Sequence, residues 1–227
     1  MNQLVAKLRL HSSDLKKGMI IFWTVLVAIV VGFYSIAALF DTPEMYVTTN
    51  VPLFVFMAIT AFKLVKDDFD YSIHLGLTRN KFVLGSLVYI LLVAILFNLI
   101  NQLLLFITIS TQEGVLPHFL TPFTWSAVLG DEAGFWTNFS LDFILSMFFS
   151  FLLYFMASLL FRFGQLAVYI ALLVMILVVL IPTVHQEIFI SAAAFYQGTS
   201  LTLIWALLSA VIIVPILSLF TLSKASV

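Results

Sequence analysis

The chain has 227 residues, of which 63% are hydrophobic and 9% charged, with a mean hydropathy of +1.18 and a net charge of −1. Water-soluble domains carry about 25% charged residues, and a chain of this length cannot hide so much apolar surface in a core. Composition therefore excludes a water-soluble fold and points to an integral membrane protein, while the absence of cysteine excludes disulfides and thiolate metal sites.

In the first ten residues, MNQLVAKLRL, Met1, Leu4, Val5 and Leu8 recur at helical spacing, with Lys7 and Arg9 on other faces. This pattern predicts a short amphipathic helix on a membrane leaflet, its basic residues near anionic lipid. Ser12 or Ser13 is expected to cap the helix that follows. No cleavable signal is expected, because the apolar run after residue 18 is too long for a signal-peptide core. Six spans are predicted, at 19–40, 49–66, 82–110, 139–161, 165–181 and 200–222, the last kinked at Pro215. Six spans put both termini on one side. All ten Lys and Arg then fall on that side, which the positive-inside rule makes cytosolic.

The third span is about 43 Å long at 1.5 Å per residue. It overshoots a hydrocarbon core of about 30 Å, so it tilts or projects. In the outer segment 111–138, Trp125 and Trp136 suit the headgroup interface. Residues 182–199 are half apolar and either dip back into the bilayer or lie on it. No internal repeat or linker divides the chain, so residues 1–227 form a single transmembrane domain. The expected fold is an all-α polytopic membrane protein. It has six transmembrane helices, an N-terminal amphipathic interfacial helix, a cytosolic helix between spans two and three, and an outer, re-entrant or surface segment between spans five and six.

A nucleotide-hydrolysing site would need a GxxxxGK[ST] loop, and none is present. His11, His74, His118 and His185 are far apart, and the pair His185 and Glu187 lacks further ligands, so no metal site is expected. Asp67 with Asp68 and Asp131 with Glu132 sit in loops rather than at bilayer depth, and no catalytic constellation emerges. Polar residues within the spans form two stripes. Asn98, Asn101 and Gln102 share a face of the third helix, and Asp142, Ser146, Ser150, Tyr154 and Ser158 repeat every four residues on the fourth. They either join helices by hydrogen bonds or line a transport path. Asp142, about one turn inside its helix, is within reach of outer water on this reading.

The stretch DDFDYSIHLGLTRNKF, 67–82, is the most polar of the chain. Asp67 or Asp68 can start a helix, and Asp70 is favoured in its first turn. Phe69, Ile73 and Leu77 mark one apolar face. Gly76 weakens the helix, and Thr78 can cap the next. A solvated linker could be far shorter, so a short docking helix is expected.

HLGLTRNKFVLG, 74–85, resembles the "GxTRxxF" signature between spans two and three of bacterial ABC-2 type permeases. FRFG, 161–164, resembles the Arg-Phe-Gly turn after their fourth span. The resemblance implies a type V ABC exporter fold, in which the segment after span two is the coupling helix seated on a separate ATPase. It makes Asp68, Phe69, Asp70, Ile73, His74, Leu77 and Arg79 the candidate docking residues. Asn98, Asn101, Gln102, Asp142, Ser146, Ser150 and Tyr154 are the candidate pathway lining. The chain would be a permease subunit in the bacterial plasma membrane, not itself an enzyme, with ATP and magnesium held by the partner ATPase. It would act as a homodimer, or as a heterodimer with a second permease, among membrane lipids and without nucleic acid. In style it is similar to Gram-positive exporters of phenol-soluble modulins or bacteriocins, with peptide, lipid or drug as cargo. A membrane-binding or immunity protein without transport is the alternative, as is a secondary transporter or channel, though no inverted repeat is present.

Overall fold

The computed structural model describes residues 3–39, 45–112, 120–125, 129, 134–196 and 202–223. Expectations resting on Met1, Asp41, Glu44, Glu113, His118, Asp131, Glu132 and Lys224 lie outside the described residues, as do the side chains of 1–15. The described elements are helices α1 (Gln3–Leu39), α2 (Asn50–Lys66), α3 (Phe69–His74), α4 (Arg79–Gln112), α5 (Phe135–Phe163), α6 (Gln165–Leu180), α7 (Pro182–Tyr196) and α8 (Thr202–Ser223). Two short strands, β1 (Met45–Val47) and β2 (Leu120–Pro122), accompany them.

Four helices are long and apolar enough to cross a membrane: α1 over Lys16–Ile36, α4 over Arg79–Ser110, α5 and α8. A fifth crossing arises if α6 and α7, bent by 76° at Ile181, count as one broken span. Pro182 follows the bend, where its missing N–H and fixed φ suit the first position of a new helix. The 17 residues of α2 and the 16 of α6 extend only about 25 Å at 1.5 Å each. The α4 helix, at 34 residues, is longer than expected and reaches about 51 Å.

The start of the chain departs from expectation. No helix ends at Ser12 or Ser13. Residues 3–39 are one helix of 37 residues, so a separate amino-terminal helix is not formed. Neither Gly nor Pro occurs between Gln3 and Lys17, and the polar residues there leave helix propensity intact.

The central element is α5, which packs against α2, α4, α6 and α8. Its inward stripe carries Ser146, Ser150, Ala157 and Ser158, all fully enclosed, and small side chains let neighbouring helices approach closely. α1 joins the bundle through rings. Phe22 stacks on Phe56 of α2 at 4.5 Å, Phe56 stacks on Phe97 of α4 at 5.2 Å, and Trp23 meets Phe97 at 5.5 Å. By contrast α6 buries none of its residues, as a helix apolar all round does when lipid is its neighbour. The strands were not anticipated. They pair in parallel, with Tyr46 opposite Thr121, and so bring the chain before α2 beside the chain before α5.

Phe97 is fully buried among three rings, whereas Phe106 on the same helix is 68% exposed. Phe97→Ala is expected to lower stability by about 3 kcal/mol, and Phe106→Ala to change it little. Denaturant unfolding in mixed micelles measures both.

Candidate functional site

Two polar constellations lie at opposite ends of the bundle. At one end Lys63, Lys66, Arg79, Lys81 and Arg162 gather around the turn from α2 through α3 into α4. Asp68 holds the N-cap position of α3 without a side-chain capping bond, and Asp70 occupies the first turn. The helix closes on Gly76. Its N–H donates to the Ile73 carbonyl at 2.9 Å, and the Leu77 N–H donates to the Ser72 carbonyl at 3.1 Å. These are the two bonds of a Schellman closure, and Gly76 takes the left-handed φ of +83° that the closure requires. Thr78 then accepts the Phe82 N–H through its carbonyl, and α4 begins at Arg79.

The apolar face of Phe69, Ile73 and Leu77 exists, but it is turned inward. Phe69 is 0% exposed, with its ring edge-on to Phe82 at 4.9 Å and to Phe161 at 4.8 Å. Leu77 is buried and Ile73 packs on the same core. These side chains therefore fix α3 to its own bundle and do not form the outward docking face expected of them. The reason is burial: an apolar face next to the exposed ends of α4 and α5 removes more area from water by packing there at once. The outward face carries Asp70, Tyr71, His74 and Leu75, with Tyr71 53% and Leu75 65% exposed. His74 Nδ1 lies 2.9 Å from the Asp70 carbonyl oxygen, one turn back.

The two motif arginines converge on α8. Arg79 Nη1 donates to the Ser223 carbonyl at 2.9 Å, and Arg162 Nη1 donates to the Thr221 carbonyl at 3.3 Å. The last carbonyls of a helix have no partner within it and carry the negative end of its dipole, which a guanidinium satisfies twice over. Gly164, the third residue of the Arg-Phe-Gly turn, has φ +80°. Gly76 and Gly164 are the positive-φ residues among those described.

The other end is built around Asp142, which is 1% exposed and does not reach water as expected. Its Oδ1 accepts from Asn50 Nδ2 at 2.9 Å and from Trp125 Nε1 at 2.8 Å, and its Oδ2 accepts from Gln102 Nε2 at 2.9 Å. A carboxylate only accepts, so it fixes the orientation of each amide around it. Asn50 must turn its NH2 to Asp142, which leaves Asn50 Oδ1 to accept from Asn101 Nδ2 at 2.8 Å. Asn101 Oδ1 is then free to accept from the Thr49 hydroxyl at 2.7 Å. The result is a one-way chain of donors running from Thr49 to Asp142. The strand pair makes it possible: Thr49 and Asn50 follow β1 closely, and Trp125 follows β2. Trp125 is further held by its own N–H, which donates to Asn138 Oδ1 at 2.7 Å.

The predicted stripes thus meet one another. Asn98 donates to Ser146 Oγ at 3.1 Å, and Ser146 donates to the Asp142 carbonyl at 2.7 Å. Ser150 and Tyr154 continue the stripe, both fully buried. Among the described residues Ser150 Oγ has no hydrogen-bond partner, and the Tyr154 hydroxyl lies near Ser86. A cavity of about 650 Å³ between α1 and α2 and one of about 470 Å³ between α2 and α5 are apolar and lined by other residues. Thr49, Asn50, Trp125 and Asn138 were missed in the sequence. Asn50 reads there as a span boundary and Trp125 as a headgroup anchor, whereas Trp136, the other tryptophan of that segment, is 76% exposed. Among the described residues, no group of three or more His, Asp and Glu could hold a metal ion.

Asn50→Ala removes one donor from a buried carboxylate and leaves the Asn101 amide unpaired. It is expected to destabilise the chain by about 1–3 kcal/mol, whereas Ser150→Ala, which deletes an unpartnered hydroxyl, is expected to be near neutral. Unfolding midpoints of the two variants check this. Comparison of the chain with family models, with characterised proteins and with solved structures finds no match.

Proposed function

We propose that the chain is the permease subunit of an ATP-driven exporter and that a separate ATPase docks on the turn between α2 and α4. The observation that carries this reading is the outward face of α3. Asp70, Tyr71, His74 and Leu75 stand exposed on a short helix that Phe69 locks to the bundle. A helix on a polar turn that exposes a tyrosine, Tyr71, offers an anchor of the kind that partner proteins bury, with Leu75 adding apolar area beside it. The likeness of GLTRNKF and FRFG to ABC-2 permease motifs supplies the partner's identity. On this reading α2 and α6 complete six spans, short helices being accommodated by tilt or local thinning of the bilayer. The basic end then faces the cytosol. α7, bent away from α6 at Ile181, becomes the outer re-entrant segment, and two permease chains assemble around the cargo path, which takes a hydrophobic or amphipathic cargo.

Docking also has a route into the bundle. Load on α3 reaches α4 and α5 through the rings of Phe69, Phe82 and Phe161, and reaches α8 through Arg79.

The test is co-purification with an ATPase encoded beside this chain. Leu75→Asp and Tyr71→Ala are expected to reduce the ATPase recovered by about tenfold, equivalent to about 1.4 kcal/mol, with the amount of permease in the membrane unchanged. Undiminished recovery with both variants would overturn the docking assignment. Phe69→Ala is expected to reduce the stability of the permease itself.

A further inference from the structure

The donor chain ends on a carboxylate that no Lys or Arg among the described residues balances. None of residues 82–161 is Lys or Arg, and the basic residues of α2, α4 and α5 stand at the other end of the bundle. Along α4, Arg79 and Gln102 are about 35 Å apart at 1.5 Å per residue. Three neutral N–H groups solvate the Asp142 carboxylate, and none of them carries a countercharge.

Next to Asp142 lies a cavity of about 260 Å³ between α5, α7 and α8, with Leu141, Leu145, Ala192 and Leu207 among its walls. An apolar cavity of about 150 Å³ holds a benzene molecule, so this one has room for an alkyl chain or a ring. Trp125 belongs to both places. Its ring lines the cavity and meets Phe195 of α7 edge-on at 6.2 Å, while its indole N–H donates to Asp142 Oδ1 at 2.8 Å. It separates an apolar space from an uncompensated carboxylate.

We propose that Asp142 and this cavity form a binding site for an amphipathic cation. A primary ammonium or guanidinium replaces the indole N–H at Asp142 Oδ1, and an apolar tail fills the cavity as Trp125 swings aside. The exchange is favourable because a charged donor to a buried carboxylate makes a stronger bond than the neutral N–H it displaces. A free amphipathic amine and the headgroup of an ethanolamine lipid share this chemistry. The site goes beyond the coupling reading and does not depend on it, since binding needs no ATPase.

The test uses the full chain in phosphatidylcholine nanodiscs, with Trp23, Trp136 and Trp205 replaced by Phe so that Trp125 alone fluoresces. Decylammonium is expected to shift Trp125 emission saturably, and decanol to bind about tenfold more weakly or worse. Asp142→Asn is expected to reduce decylammonium affinity by at least about tenfold. Ala192→Phe, which fills the cavity and leaves Asp142 and its donors chemically unchanged, is expected to do the same. Equal affinity for decylammonium and decanol, or affinity unchanged in Ala192→Phe, overturns the site. The second result decides the matter even if Asp142→Asn fails to fold. With phosphatidylethanolamine added to the discs, competition identifies the lipid headgroup as occupant, and its absence identifies a free amine.

Discussion

A carboxylate enclosed by apolar helices must be met by donors, because an ion stripped of water and left unpaired costs several kcal/mol. Asp142 is enclosed, and its three donors come from three separate parts of the chain: Asn50 at the start of α2, Gln102 in α4 and Trp125 after β2. Each donor ties one element to α5. The parallel pairing of β1 with β2 delivers two of the three, which gives this small ladder a role out of proportion to its length. Because a carboxylate only accepts, it also sets the direction of every amide behind it, back to Thr49.

At the opposite end the governing requirement is chain reversal beside helix ends. Two turns use left-handed glycines, Gly76 and Gly164, and each turn carries an arginine that donates to a last carbonyl of α8. The two short motifs thus share one structural role, closing neighbouring turns and holding the end of the same helix. Phe69 sits between the turns, with Phe82 on one side and Phe161 on the other. α5 runs from this cluster to Asp142, about 30 Å of continuous helix, so one rod joins the turn around α3 to the polar cluster.

Several of these features could be read before the structure. The tract 67–82 was legible as a short helix, a break and a new helix, because Asp70, Gly76 and Thr78 each carry a local signal. The stripes on α4 and α5 were legible because i, i+3 and i+4 spacing places residues on one face whatever surrounds the helix. The direction in which a face points is another matter. Periodicity groups Phe69, Ile73 and Leu77 but cannot say whether their partner is another protein or their own core. The break expected at Ser12 or Ser13 failed for a related reason: capping residues permit a helix start, and neighbours without Gly or Pro let the helix run through.

The sequence by itself determined that this chain is helical and apolar enough for a membrane, where its main helices and turns fall, and which polar residues share a face. Those properties follow from hydropathy, periodicity and the local preferences of Gly, Pro and capping residues, all of which act over a few residues. Only the tertiary structure decided that Asn50 and Trp125 belong with Asp142, that the two motif arginines meet on α8, and that Phe69 faces inward. Each of these contacts joins residues far apart in the chain. They depend on how whole helices pack around α5 and on a strand pairing, and no local pattern encodes either.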